Sequence, residues 1–197
     1  LDDGFQHRRL HRDCDIALVC PEDLSPSTPL LPAGPLRERA KALSRAHLIA
    51  GFEEEWRGDA GAPEILLEAI PSGLVDAGGA FAPLSAPGQK AFAFAGIARP
   101  ERFLRTARVA GFEIAGARLF PDHHRYGESD FTALEREASA SGAQLLLTTE
   151  KDLVKIAPDR IFPAPRALRI ELRLVSGAPA LAEKLRDIGL DPAFVHA

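Results

Sequence analysis

The chain alternates between short unbroken apolar runs and longer stretches in which apolar residues recur three and four positions apart. The first pattern predicts buried strands and the second predicts amphipathic helices. Runs at 15–20, 47–50 and 64–70 read as strands, and Leu36-Arg37-Glu38-Arg39-Ala40-Lys41-Ala42-Leu43 restarts a helical pattern after a loop rich in proline. From residue 90 the alternation becomes regular: strand at 90–95, helix at 100–110, strand at 113–120, helix at 129–141, strands at 144–149 and 168–174, and helix at 179–188. Pro100 suits a first helical turn, Phe103, Leu104, Ala107 and Ala110 share a face, and Gly111 can close the end. Pro179, the stripe Leu181, Leu185 and Ile188, and Gly189 repeat that logic in the last helix. Alternating strands and helices predict an α/β protein with a mostly parallel sheet covered on both faces. Gly78-Gly79, Pro83, Pro87 and Gly88 mark a boundary near residue 88, giving an expected division into domains 1–88 and 89–197.

Composition narrows the classes open to such a fold. With 197 residues, 46% of them hydrophobic, the chain can bury a sizeable core. A formal charge of −4 and a pI near 5.9 speak against a general nucleic-acid binder, because neutralising phosphates needs a basic surface. If a strand runs through both, Cys14 and Cys20 point to one face of it and lie too far apart to bond, and their spacing matches no metal or redox motif. No apolar run approaches the roughly 20 residues that span a bilayer. There is no signal-peptide pattern, so a reducing cytoplasmic setting is the default. The chain lacks methionine and opens on Asp2-Asp3-Gly4 after the apolar Leu1, a string expected at the carboxyl end of a buried strand. That strand is expected upstream, and the 197 residues read as the carboxy-terminal part of a longer protein.

Four polar clusters carry candidate chemistry. Asp2 and Asp3 before Gly4 would set a carboxylate at a strand tip facing a phosphate-bound magnesium ion, although a bare Asp-Asp-Gly is more often a solvated turn. Leu36-Arg37-Glu38-Arg39 follows a Pro-Ala-Gly-Pro turn that fixes its direction, and arginine there could grip phosphate bidentately. Phe120-Pro121-Asp122-His123-His124 lies just beyond a strand, with His123 beside Asp122 the better ligand contact and His124 open to reading as a surface histidine. Thr148-Thr149-Glu150-Lys151-Asp152 joins a strand to a helix, and capping accounts for most of it.

Taken in order, Asp2-Asp3-Gly4-Phe5-Gln6-His7, Leu31-Pro32-Ala33-Gly34-Pro35-Leu36-Arg37-Glu38, Phe94-Ala95-Gly96-Ile97-Ala98-Arg99-Pro100, Phe120-Pro121-Asp122-His123-His124 and Thr149-Glu150-Lys151-Asp152 resemble the tetraacyldisaccharide 4'-kinases of lipid A synthesis. The resemblance implies the remainder of a P-loop-type parallel-sheet domain followed by a smaller α/β domain that closes over the nucleotide. It implies transfer of the γ-phosphoryl group of ATP, with Mg2+, to the 4'-hydroxyl of a tetraacylated glucosamine disaccharide 1-phosphate. The partners implied are that lipid A precursor and the inner-membrane surface, where the enzyme is peripheral on the cytoplasmic face.

On the same resemblance Asp2 matches the magnesium acid, with Asp3 and His7 beside it at the transfer centre. Arg37 and Glu38 fall on the nucleotide-site motif, and His123 matches a histidine facing the nucleotide. The strand near 47–52 lacks an asparagine expected in the family. No Gly-x-x-x-x-Gly-Lys-Ser/Thr string occurs in these residues, so the phosphate cradle is expected upstream and the chain alone is expected to be inactive. Two other readings stay open at this point. One is a metal-dependent phosphoesterase built on Asp122-His123-His124 with Asp2 and Asp3, and the other is a non-catalytic remnant kept for binding.

Overall fold

The computed structural model describes residues 4–25, 27–34, 36–52, 55, 64–84, 87–157 and 159–193. Among the described residues eight strands, β1 (Ile16–Leu18), β2 (Leu48–Phe52), β3 (Ile65–Val75), β4 (Phe81–Pro83), β5 (Lys90–Ala95), β6 (Glu113–Leu119), β7 (Leu145–Thr149) and β8 (Arg166–Ser176), are interspersed with α1 (Pro100–Val109), α2 (Glu128–Ser141), the single turn α3 (Glu150–Leu153) and α4 (Ala178–Asp187). Strands β1–β2, β2–β3, β5–β6, β5–β7 and β7–β8 pair in parallel, and β3–β4 is antiparallel. The fold is therefore α/β with a mostly parallel sheet, as the alternation of patterns predicts. Among the described residues no helix is long and apolar enough to cross a membrane.

The chain divides into two compact units, Leu1–Glu68 with Leu172–Ala197 and Ala69–Glu171. In the first, β1 pairs with β2 through Ile16 and Leu48, and β2 with the start of β3 through Ala50 and Ile65. Leu48, Ala50 and Ile65 form a small core against Leu174, Ala180 and Leu181. Gly177 makes the turn into α4 with φ +90°, and a Cβ there would strike the Glu64 carbonyl oxygen, so no larger residue fits. The helix expected at 36–43 is instead a 3-10 segment at Ala40–Arg45. Leu36 pairs with Leu30 in an isolated bridge, which ties the residues before Ala40 to the loop and keeps them from winding.

In the second unit the strand order is β8-β7-β5-β6. Strand β5 sits inside, and its side chains alternate between the faces. Ala91, Ala93 and Ala95 pack with Phe103, Leu104 and Ala107 of α1, while Phe92 and Phe94 pack with Phe131, Leu134 and Ala138 of α2. Both faces are thus covered, and the elements at 90–95, 100–110, 113–120, 129–141 and 144–149 form within a residue or two of their expected bounds. Gly78 and Gly79 lie in the loop of the β3–β4 hairpin. Asp76 Oδ1 accepts the backbone N–H groups of Gly78 and Ala80, both at 2.9 Å, and closes the turn. Residue 88 falls between β4 and β5 within this unit.

Topology determines where this unit can hold a ligand. From β5 the chain crosses through α1 to β6 on one side, then returns through α2 to β7 on the other. The strand order therefore reverses between β5 and β7. In open α/β sheets the crevice outside the carboxyl ends at such a reversal is where ligands bind.

Candidate functional site

Two polar clusters stand out, one in each unit. In the first unit a cleft of about 910 Å³ is lined by Gly4, Gln6, Arg12, Ile16, Arg37 and Glu38 among others. The turn that begins at Gly4 is fixed by Arg12, whose guanidinium donates to the Gly4 carbonyl at 3.2 Å, to the His7 carbonyl at 2.6 Å and to Asp15 at 2.6 Å. Phe5 lies under the Arg45 guanidinium, 4.7 Å from the ring centre. Arg45 donates to both oxygens of Glu38, at 2.9 and 3.1 Å, and Arg8 donates to the same carboxylate at 3.1 Å. The bond from Arg45 leads the effects that hold the Glu38 carboxyl below the usual carboxylate range.

Of the sequence candidates, Arg37 and Glu38 line this cleft, and Arg37 reaches Gln6 at 3.5 Å. His7 is exposed on the turn. Asp2 and Asp3 lie outside the described residues. Among the described residues no three His, Cys, Asp or Glu side chains are grouped to hold a metal ion.

The second cluster occupies the reversal between β5 and β7. Asp152, on α3, is fully buried. Its Oδ2 accepts the Gly96 backbone N–H at 2.9 Å and the Thr149 hydroxyl proton at 2.8 Å, and its Oδ1 accepts from Lys155 at 2.7 Å. Thr149 in turn accepts the Asp152 N–H at 3.1 Å, the cap expected from the sequence. Burial alone pushes the Asp152 pKa up, but Lys155, the Gly96 N–H and Thr149 outweigh it and leave the carboxyl below its ordinary value. Burial, followed by the negative Asp152 nearby, raises the pKa of Tyr126.

The histidine pair at 123 and 124 separates cleanly. His124 is stacked on Phe120 with ring centres 4.5 Å apart, and its Nε2 meets Asp130 at 2.9 Å. Asp130 also accepts the Gly127 N–H at the start of α2, the leading reason its carboxyl sits low. This histidine is built into the packing. His123 points outward, its side chain 77% exposed, with a left-handed backbone at φ +59°, the single positive value at a non-glycine position among the described residues. That conformation costs an L-residue on the order of 1 kcal/mol, although histidine tolerates it better than most. The His123 N–H donates to the Gly96 carbonyl at 3.1 Å and to the carboxylate of Asp122 at 2.9 Å. Lys151 donates to Asp122 at 3.0 Å and leads the effects that lower its pKa.

Sequence reasoning found the Asp122-His123-His124 and Thr149–Asp152 strings but did not connect them. The link is Gly96. A Cβ on it would lie 3.0 Å from His124 Cβ and 3.3 Å from both Asp152 Oδ1 and the Pro121 carbonyl. The signal available in the sequence was a glycine directly after the apolar run 91–95, together with a Thr-x-x-Asp cap at the end of a second apolar run.

Residues 1–189 match the family model described as tetraacyldisaccharide-1-P 4'-kinase. A tetraacyldisaccharide 4'-kinase of Anaeromyxobacter dehalogenans is 38% identical over 94% of this chain and 54% of its own length. One from Geobacter metallireducens is 40% identical over 80% of this chain and 48% of its own. A crystal structure of LpxK from Aquifex aeolicus in complex with ATP superposes with a TM-score of 0.66 at 31% identity, covering 95% of this chain and 56% of that one. The chain spans about half the length of the curated relatives it matches.

Proposed function

The chain belongs to the tetraacyldisaccharide 4'-kinase family, and on that premise we propose that the protein transfers the γ-phosphoryl group of ATP to the 4'-hydroxyl of a tetraacylated glucosamine disaccharide 1-phosphate. The observation that carries this reading is the family match across residues 1–189, which takes in both polar clusters in one alignment. Phosphoryl transfer relies on positioning and on neutralising charge, and needs little covalent chemistry from the protein. Both clusters suit that work. Arg37 and the arginines around Glu38 supply cationic forks in the first unit, and the second presents an exposed histidine on a backbone held from beneath.

In this proposal Arg37, Glu38 and His123 contribute to holding ATP, Glu38 by orienting Arg45 and Arg8. Asp2, Asp3 and His7 serve the transfer centre. Magnesium accompanies the nucleotide, with Asp2 as its acid. Such an ion commonly takes one or two carboxylates together with phosphate oxygens, so the adjacent acids Asp2 and Asp3 fit the chemistry. Binding at the cytoplasmic face of the inner membrane, where the acylated acceptor resides, belongs to the same reading. Residues 1–197 contain no Gly-x-x-x-x-Gly-Lys-Ser/Thr string, and we propose that they do not turn over ATP by themselves.

The test is a kinase assay on the intact protein with labelled ATP and the tetraacyldisaccharide 1-phosphate in mixed micelles. Label appearing at the 4'-position, and only with both substrates present, is the expected result. Release of phosphate from the acceptor without ATP would instead favour phosphoester hydrolysis.

A further inference from the structure

We propose that Asp152 is a positioning residue for His123, acting through Gly96, and that it sets how the imidazole is presented. The inference rests on the kinase reading only for what His123 meets.

The first observation is where the carboxylate lies. The crevice at the reversal between β5 and β7 is where a sheet of this topology takes a ligand, and the carboxylate that lies there is fully buried. Capping a single helical turn does not require that burial, because Thr149 already satisfies the Asp152 N–H. A buried ion pair is also a poor source of stability compared with apolar packing of the same volume. The burial is better explained by what the carboxylate holds.

It holds Gly96. The Asp152 carboxylate fixes the Gly96 N–H at 2.9 Å, and the Gly96 carbonyl accepts the N–H of His123 at 3.1 Å. One short residue therefore connects a buried anion to the strained position that carries the exposed imidazole. The absence of a side chain at Gly96 lets the 121–124 turn settle directly onto β5 and α3, since a Cβ would crowd His124, Asp152 and the Pro121 carbonyl together.

A second tie runs in parallel. Lys151, adjacent to Asp152, grips Asp122 at 3.0 Å, and Asp122 accepts the same His123 N–H. The single turn α3 thus holds the histidine turn at two points. His124 is drawn the other way by Asp130 and Phe120, which leaves His123 as the outward member of the pair. Backbone kept in a sparsely populated conformation by surroundings that over-determine it is a recognised mark of a functional position.

The experiment uses the intact protein with ATP as the varied substrate and four variants: Asp152→Asn, Gly96→Ala, His123→Ala and the double variant Asp152→Asn/His123→Ala. Asp152→Asn and Gly96→Ala are each expected to lower kcat/KM for ATP at least about tenfold. Asp152→Asn should change it less than about twofold once His123 is already alanine, because the group through which Asp152 acts has gone. An equal loss in both backgrounds would overturn the proposal, since it would mean that Asp152 only supports the fold. If Asp152→Asn does not accumulate as folded protein, Gly96→Ala combined with His123→Ala carries the same cycle from the other end of the link.

A second readout is independent of kinase activity. In the intact protein labelled with 15N-histidine, Asp152→Asn should move the His123 amide and ring resonances while those of His7, His11 and His47 stay in place. Unmoved His123 resonances would contradict the positioning role even in an active kinase. Moved resonances in a protein that phosphorylates nothing would keep the positioning role and remove the kinase reading.

Discussion

Glu38 in the first unit and Asp152 in the second are both carboxylates that gather cations, and they show what water does to the same chemistry. Glu38 retains 23% of its side-chain exposure and is met by Arg45 and by Arg8, itself 66% exposed. Water competes for every bond in that cluster, so the arrangement stores little energy and its arginines stay free to adjust to a ligand. Asp152 has no exposure, and its partners include the backbone N–H of Gly96. The first arrangement suits gripping and releasing phosphate oxygens. The second suits holding a neighbour still.

Removing each carboxylate should separate the two most widely. Asp152→Ala leaves the Gly96 N–H unpaired in the interior and takes the carboxylate from the partly buried Lys155, and should cost about 3–5 kcal/mol of unfolding free energy in urea titration. Leu134→Ala, at a fully buried position where α2 meets β5, should cost about 2–5 kcal/mol and serves as the packing control. Glu38→Ala should cost no more than about 1 kcal/mol, and adding salt should shrink the difference further. A loss at Glu38 equal to that at Asp152 would break the contrast.

Acid should sharpen it. The pKa of Asp152 is depressed in the folded chain, so the stability it contributes is present in full above the unfolded value of about 4 and disappears as pH falls through the lower folded value. Asp152→Asn is expected to flatten the dependence of unfolding free energy on pH below about 4, while leaving its slope near neutrality unchanged. The smallest expected effect has the opposite sign. His123→Gly relieves the left-handed backbone and should stabilise the folded protein by up to about 1 kcal/mol, set against the extra freedom glycine gives the unfolded chain, while lowering turnover.

The second unit was legible because its elements obey local rules that tertiary structure then reuses. The alternation along Lys90–Ala95 is the alternation of the two cores, and Pro100 with Gly111 brackets α1 as their backbone preferences require. The first unit was less legible. The charged stretch after Leu36 has helical spacing, but the Leu30–Leu36 bridge and the long-range bonds from Glu38 to Arg8 decide its conformation. The glycines and prolines at 78–88 carry the composition that separates domains, and two of them, Gly78 and Gly79, form the turn of the β3–β4 hairpin, which Asp76 closes.

The candidate site divides in the same way. The strings that hold its residues could be picked out in the sequence one by one. What could not be read was that Gly96, Asp152 and His123 are joined. That connection depends on β5 and β7 being neighbours, a pairing across more than fifty positions that no local pattern encodes.

The most direct measurement compares kcat and KM for ATP, with saturating tetraacyldisaccharide 1-phosphate, in the intact protein and its His123→Ala variant at matched folded fraction. The account predicts unchanged or slightly lowered stability, because alanine keeps the left-handed strain, and at least a tenfold loss in kcat/KM. Full turnover from His123→Ala would contradict it, because the exposed histidine that the second unit is arranged to hold would then have no part in the reaction.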